Sequence, residues 1–312
     1  MDERLLFGLA FTIMGLGGAG HNLLTGVVLL KYPEFGKSTY YFMANLCFSD
    51  AAELLSIGFA SGVRVLTSNE SDITTFDKYN GLMAGIGWWI GGTFFVIISF
   101  NRYICISRWA EVDRWFSRKN IIILNILPYA IFFTIAPAFF FATGHMFPWM
   151  NGLLQFGFDD PVTLWFNYIS SIVFAALQVI FNSLTLLGIR KLKKGSEFSP
   201  ATLKKETRLT IQCVLTSSVY VAAFVICQTF EAMLPAGIAV QPAHLAAAHL
   251  VWITNHCINP IIYFCFNSQL RKHILKMCFS AYTPVQPITT GIKGTKESVT
   301  GINKISQFSH NK

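Results

Sequence analysis

The 312-residue chain is 53% hydrophobic and only 13% charged, far below the roughly 25% charge of soluble domains, so an ordinary soluble protein is excluded and an integral membrane protein indicated. Its net charge of +8 does not point to nucleic acid, because the basic residues form short clusters between apolar runs and never a patch interleaved with aromatics. The seven cysteines are odd in number and lie mostly inside apolar runs, which excludes a disulfide framework.

A membrane-spanning helix needs about 20 predominantly apolar residues. Seven stretches qualify: Leu5–Leu30, Thr39–Leu66, Gly81–Ile106, Ile121–Thr143, Val162–Ile189, Leu209–Met233 and Ala243–Phe266. The apolar run after Met1–Arg4 is too long for a cleavable leader, so the first span is expected to serve as its own insertion signal. It carries Asn22 and the spacing Gly15-x-Gly17-x-x-Gly20. With no strand before it, that spacing is no dinucleotide site but a place for close helix contact.

The second stretch is the least apolar. Asp50 and Glu53 stand three apart on it and share a face that should point into the bundle. They form either a structural hydrogen-bond cluster or a switch or ion site, with Asn22 and Asn259 as the evident polar partners. The chain's N-glycosylation triplet follows at Asn69-Glu70-Ser71. Stretch three holds Trp88 and Trp89, packing or ligand-lining aromatics, and closes on Asn101-Arg102-Tyr103. Arg102 is either a snorkelling anchor or a functional cation. Glu206, among Lys204, Lys205 and Arg208, is its candidate partner or a solvated charge in a basic loop.

In stretch seven, Asn255, Asn259 and Tyr263 recur at intervals of four, which stacks two amides and a phenol on one face. Pro260 has no N–H, so the carbonyl of His256 four residues back must find another partner and the helix must bend. Beyond Asn267, Leu270, Ile274, Met277 and Cys278 line one side and Arg271, Lys272, His273 and Lys276 the other, the pattern of an interfacial amphipathic helix. Cys278 is a palmitoylation candidate there. From about Ser280 the chain turns to Thr, Gly, Pro, Lys and Ser, with too little apolar surface to fold. His244 and His249 lack a Cys or acid to complete a metal set, and no HExxH, GxSxG or P-loop is present. No metal, cofactor or enzymatic activity is therefore expected.

Lys and Arg in short loops set orientation. If the amino terminus is outside, 21 of the 24 Lys and Arg residues fall on the cytoplasmic side, together with the carboxyl terminus.

Taken together, these residues resemble the rhodopsin-like G-protein-coupled receptors over roughly Gly18–Met277. The resemblance rests on Asn22, on Asn45-Leu46-x-x-x-Asp50, on Asn101-Arg102-Tyr103 in place of Asp-Arg-Tyr, and on Asn259-Pro260-x-x-Tyr263 followed by the short basic helix. Within that superfamily the chain looks like the nematode serpentine chemoreceptors, class X or a relative. The resemblance implies that Asn101, Arg102, Tyr103, Glu206, Asn259, Pro260 and Tyr263 serve activation and G-protein coupling. It also implies a polar core of Asn22, Asp50, Glu53 and Asn255. The departures are equally plain. The family's outer disulfide has no cysteine here, with Asp77 near one of its places; stretch six lacks Cys-Trp-x-Pro, and stretch four lacks the usual Trp. Gly87 and Gly91 stand where the family's sodium site places Asn and Ser.

The resulting expectation is an all-α bundle of seven transmembrane helices with a short amphipathic helix eight, residues 1–279 forming the receptor domain and 280–312 a disordered cytoplasmic tail. The chain would be a chemosensory receptor of the plasma membrane, its partners a heterotrimeric G protein and the lipid bilayer. Helical position puts Trp88, Trp89, Gln228, Glu231, His249 and Trp252 around a small organic ligand. A transporter or channel is the alternative, but it calls for inverted repeats or interrupted helices that this chain does not display.

Overall fold

The computed structural model describes residues 3–68, 72–143, 147–157, 161–194, 199–233 and 240–279. Seven long helices run α1 (Glu3–Lys31), α2 (Ser38–Thr67), α3 (Thr75–Ser107), α4 (Arg118–Thr143), α5 (Pro161–Lys194), α6 (Pro200–Met233) and α7 (Pro242–Phe266). A shorter helix, α8 (Ser268–Phe279), follows. Between α4 and α5 lies a small antiparallel hairpin, β1 (Trp149–Met150) and β2 (Gln155–Phe156), in which Trp149 faces Phe156 and Met150 faces Gln155. This is the all-α architecture expected, with the hairpin added. The tail expected from Ser280, Asn69 and the side chain of Glu231 lie outside the described residues.

Among the described residues, α1 to α6 are each long and apolar enough to cross a membrane. The seventh falls short by composition because it carries His244, His249, Asn255, His256 and Asn259. Of these, His249, Asn255, His256 and Asn259 are buried. Large apolar side chains point the other way: Ile13 is 68% exposed, Ile126 59% and Phe141 78%. An exterior of Ile and Phe around a polar interior is what lipid, rather than water, selects.

The helix starts follow local chemistry. Pro161, Pro200 and Pro242 sit at first positions, where a missing N–H costs nothing. Thr74 and Asp77 cap α3 reciprocally, each side chain taking the other's backbone N–H. Asp77 also pairs with Arg64 of α2 at 3.2 Å, so the position near the family's disulfide carries a buried ion pair joining α2 to α3. The α2 helix widens to π geometry over Leu54–Ala60, and Gly58 in that stretch meets Gly15 of α1. A Cβ on Gly15 would lie 2.3 Å from the Phe59 nitrogen. Of the three glycines in the GxGxxG spacing, only Gly15 makes this contact; Gly17 and Gly20 face open space.

Pro260 lies inside α7, and the carbonyl it releases is answered from α1: Asn22 Nδ2 donates to His256 O at 2.9 Å and to Gly18 O at 3.0 Å. At the end of α7, Arg271 Nη1 donates to Phe264 O and Cys265 O. Leu270 and Ile274 of α8 are buried, whereas Cys278 is exposed.

Candidate functional site

Polar side chains cluster at three levels between the end of the bundle that carries α8 and the end that carries the hairpin. At the α8 end, Arg102 is 1% exposed, and its Nη2 donates to Glu206 Oε2 of α6 at 2.6 Å. Glu206 Oε1 also accepts from Lys37 Nζ at 2.8 Å. Longer contacts run from Arg102 to Thr39 and Thr210, each 3.4 Å. One guanidinium thus ties α3 to α6 by a short charge-assisted bond, the strong kind, and reaches α2 by a longer contact. Asn101 Nδ2 donates to Ser38 Oγ at 2.8 Å, and Asn101 Oδ1 accepts from Thr39. Tyr103 points aside and stacks on Phe181 of α5. Glu206 therefore sits in a three-member charge cluster, and its share in that cluster with Lys37 was missed in the sequence because Lys37 reads as one more topology-setting cation.

The middle level is the polar core. Asp50 Oδ2 accepts from Asn259 Nδ2 at 2.8 Å, and Asp50 Oδ1 lies 2.7 Å from His256 Nδ1. Glu53 Oε1 accepts from Trp252 Nε1 at 3.0 Å and stands 3.2 Å from His256 Nε2. Asp50, Glu53, Asn255, His256 and Asn259 are all no more than 1% exposed. Gly87 makes room for Glu53, since a Cβ there would meet Glu53 Cβ at 2.9 Å. Asn22 does not reach Asp50 as expected; the His256 carbonyl that Pro260 leaves without a helix donor takes its amide instead. Neither polar atom of the Asn255 side chain has a partner among the described residues, and Tyr263 is buried one turn below Asn259. His256 is the member that sequence reading passed over, naming only its carbonyl. Its position three before Asn259 and four after Trp252 places it on the same helix face.

At the hairpin end, aromatic side chains surround His249 and Trp252. Trp252 lies 5.7 Å from Trp88, His249 and Phe156, and 5.8 Å from Phe147. His249 contacts Phe11 and Trp149, and its Nε2 faces Ile57 O at 2.8 Å. Trp88 Nε1 donates to Ser171 Oγ, and its ring stacks on Tyr220. Trp89 does not join this group. One residue further round α3, it packs against Phe132 of α4 and Phe166 of α5. Gln228 lies 3.5 Å from Asn167 Nδ2.

The hairpin reaches this aromatic group without a disulfide. Its approach to α3 is backbone on backbone: a Cβ on Gly81 would fall 1.7 Å from Phe147 O. Asn151 Nδ2 donates to Ser68 O at 2.9 Å, and Arg4 donates to both Asn151 O and Ser68 O. Leu154 accepts a φ of 56° at the turn, unfavourable for a residue with a Cβ. The Asn151-Gly152 pair is the sequence signal that could have announced this turn.

The profile of the seven-transmembrane receptors of the rhodopsin family matches residues 21–263, spanning α1 to Tyr263 and all three levels. The chain belongs to that family. It is 22% identical over 85% of its length to a Caenorhabditis elegans protein described as a probable G-protein coupled receptor, and spans 65% of that relative's length. Squid rhodopsin has a similar fold, with a TM-score of 0.74 at 17% identity over 90% of this chain and 87% of that one. The receptor is therefore a multi-pass membrane protein of rhodopsin architecture, resembling nematode receptors.

Proposed function

We propose that this receptor is chemosensory: a small organic molecule binding at the hairpin end shifts helix positions at the α8 end and activates a heterotrimeric G protein. The observation that carries the reading is the continuity of the aromatic level with the polar core, above an Arg102–Glu206 contact that ties α3 to α6. Trp252 touches the hairpin aromatics on one side and Glu53 on the other; His256 and Asn259 join the same cluster through Asp50. Such a buried network can hold two arrangements of similar energy, which a population shift requires. Arg102 and Glu206 are the contact that must part for α6 to move. In this reading the α8 end is cytoplasmic, as the distribution of Lys and Arg supports, the receptor resides in the plasma membrane, and it catalyses no reaction. Trp88, His249, Trp252 and Gln228 contribute to ligand recognition. Trp89 is the least suited, because its ring is committed to α4 and α5. A panel of small organic molecules tested on cells expressing the receptor with a promiscuous G-protein reporter examines this. A saturable response that Trp252→Ala weakens at equal surface density is expected; responses confined to large peptides would contradict the small-molecule reading.

A further inference from the structure

Two carboxylates and one imidazole share the polar core, and each imidazole nitrogen lies within 3.2 Å of a carboxylate oxygen. The Trp252 indole can only donate, and its hydrogen has two acceptors in reach, Glu53 Oε1 at 3.0 Å and His256 Nε2 at 3.1 Å; the carboxylate oxygen, nearer and charged, is the stronger acceptor. A hydrogen on His256 Nε2 then has Glu53 Oε1 as its acceptor, and one on Nδ1 has Asp50. A ring donating from both nitrogens is an imidazolium. Other titratable or charged side chains do not contact the ring among the described residues; its further neighbours are the rings of Trp88 and Trp252. Two acids buried away from water without a cation would be severely destabilising. Around them stand further acceptors: among the described residues, Glu53 Oε2, Asn22 Oδ1 and Asn259 Oδ1 are buried and find no donor.

We propose that the imidazolium of His256 is the resident cation of this receptor's polar core, standing between Asp50 and Glu53 where a core of two acids would otherwise need a cation from solution. Two consequences follow. The native core has no use for sodium, and removing the ring's charge converts the core into a small-cation site lined by Asp50, Glu53 and the unpartnered amide oxygens.

The test uses purified receptor and reads thermal stability, so it does not depend on ligand or G protein. Melting is compared in sodium chloride and in choline chloride at equal ionic strength, for wild type, His256→Gln and Asp50→Asn/His256→Gln. Glutamine keeps an N–H but no charge. Wild type should melt at the same temperature in both salts. His256→Gln should melt roughly 5–15 °C lower in choline, as expected when a buried pair loses one partner, and should regain part of that loss in sodium. The double variant, with one acid neutralised, should recover stability without sodium. If His256→Gln yields no folded protein, recovery of folded protein by the second substitution reads the same coupling. Sodium stabilisation of wild type, or a double variant no more stable than the single one, overturns the proposal.

Discussion

Glu206→Gln should raise signalling in the absence of ligand. The carboxylate accepts from Arg102 at 2.6 Å and Lys37 at 2.8 Å, and its side chain is 13% exposed. Breaking a fully buried ion pair costs about 3–5 kcal/mol. Here the loss is smaller, because glutamine still accepts hydrogen bonds and Arg102 keeps Thr39 and Thr210; about 2 kcal/mol is a reasonable magnitude for partly exposed charge-assisted bonds. That is roughly a thirtyfold shift in a two-state equilibrium, so a receptor about 1% open would become about one quarter open. The assay is basal second-messenger output normalised to surface density, measured on the same cells. In the proposed switch, the Arg102–Glu206 contact exists only while α6 is packed against α3. Basal output in Glu206→Gln equal to wild type at matched surface density would refute it.

Gly15→Ala places a methyl 2.3 Å from the Phe59 nitrogen, and since backbone must move to admit it, melting should fall by several degrees, with ordinary contacts elsewhere unaffected; Gly17→Ala, facing open space, should melt as wild type. Gly81→Ala collides with Phe147 O and should detach the hairpin, read as faster proteolysis within residues 147–157 of a receptor that still reaches the surface. The exposed Glu34 carboxyl is held below its ordinary range by a backbone hydrogen bond and by His273. Its contribution to seating α8 is therefore present at neutral pH and lost only as pH falls below about 4.5; a stability profile that already declines between pH 7 and 5 and is flattened by Glu34→Gln would contradict this.

Periodicity and composition made the seven helices and α8 legible, because lipid imposes long apolar runs and sets the polar residues apart by contrast. The same contrast exposed Asp50, Glu53, Arg102 and Asn259. His256 escaped because a histidine among five polar residues on α7 stands out less than an acid does, and its significance depends on where α2 delivers its two carboxylates. The choice between Trp88 and Trp89 was equally hidden: adjacent residues on a helix point about 100° apart, both rings are buried, and which of them joins the Trp252 group depends on packing with α4 and α5. The hairpin anchor was illegible for a different reason, since the contact that seats it is an absent side chain at Gly81 against distant backbone.

The central claim, that the Arg102 end of the bundle engages a G protein, is tested most directly by nucleotide exchange. Receptor reconstituted in lipid vesicles would be mixed with a panel of purified heterotrimeric G proteins and GTP uptake followed without ligand. Glu206→Gln should accelerate uptake by at least one of them relative to wild type, and adding Arg102→Leu should abolish the acceleration. Uptake by every G protein in the panel that is indifferent to both substitutions would contradict the account.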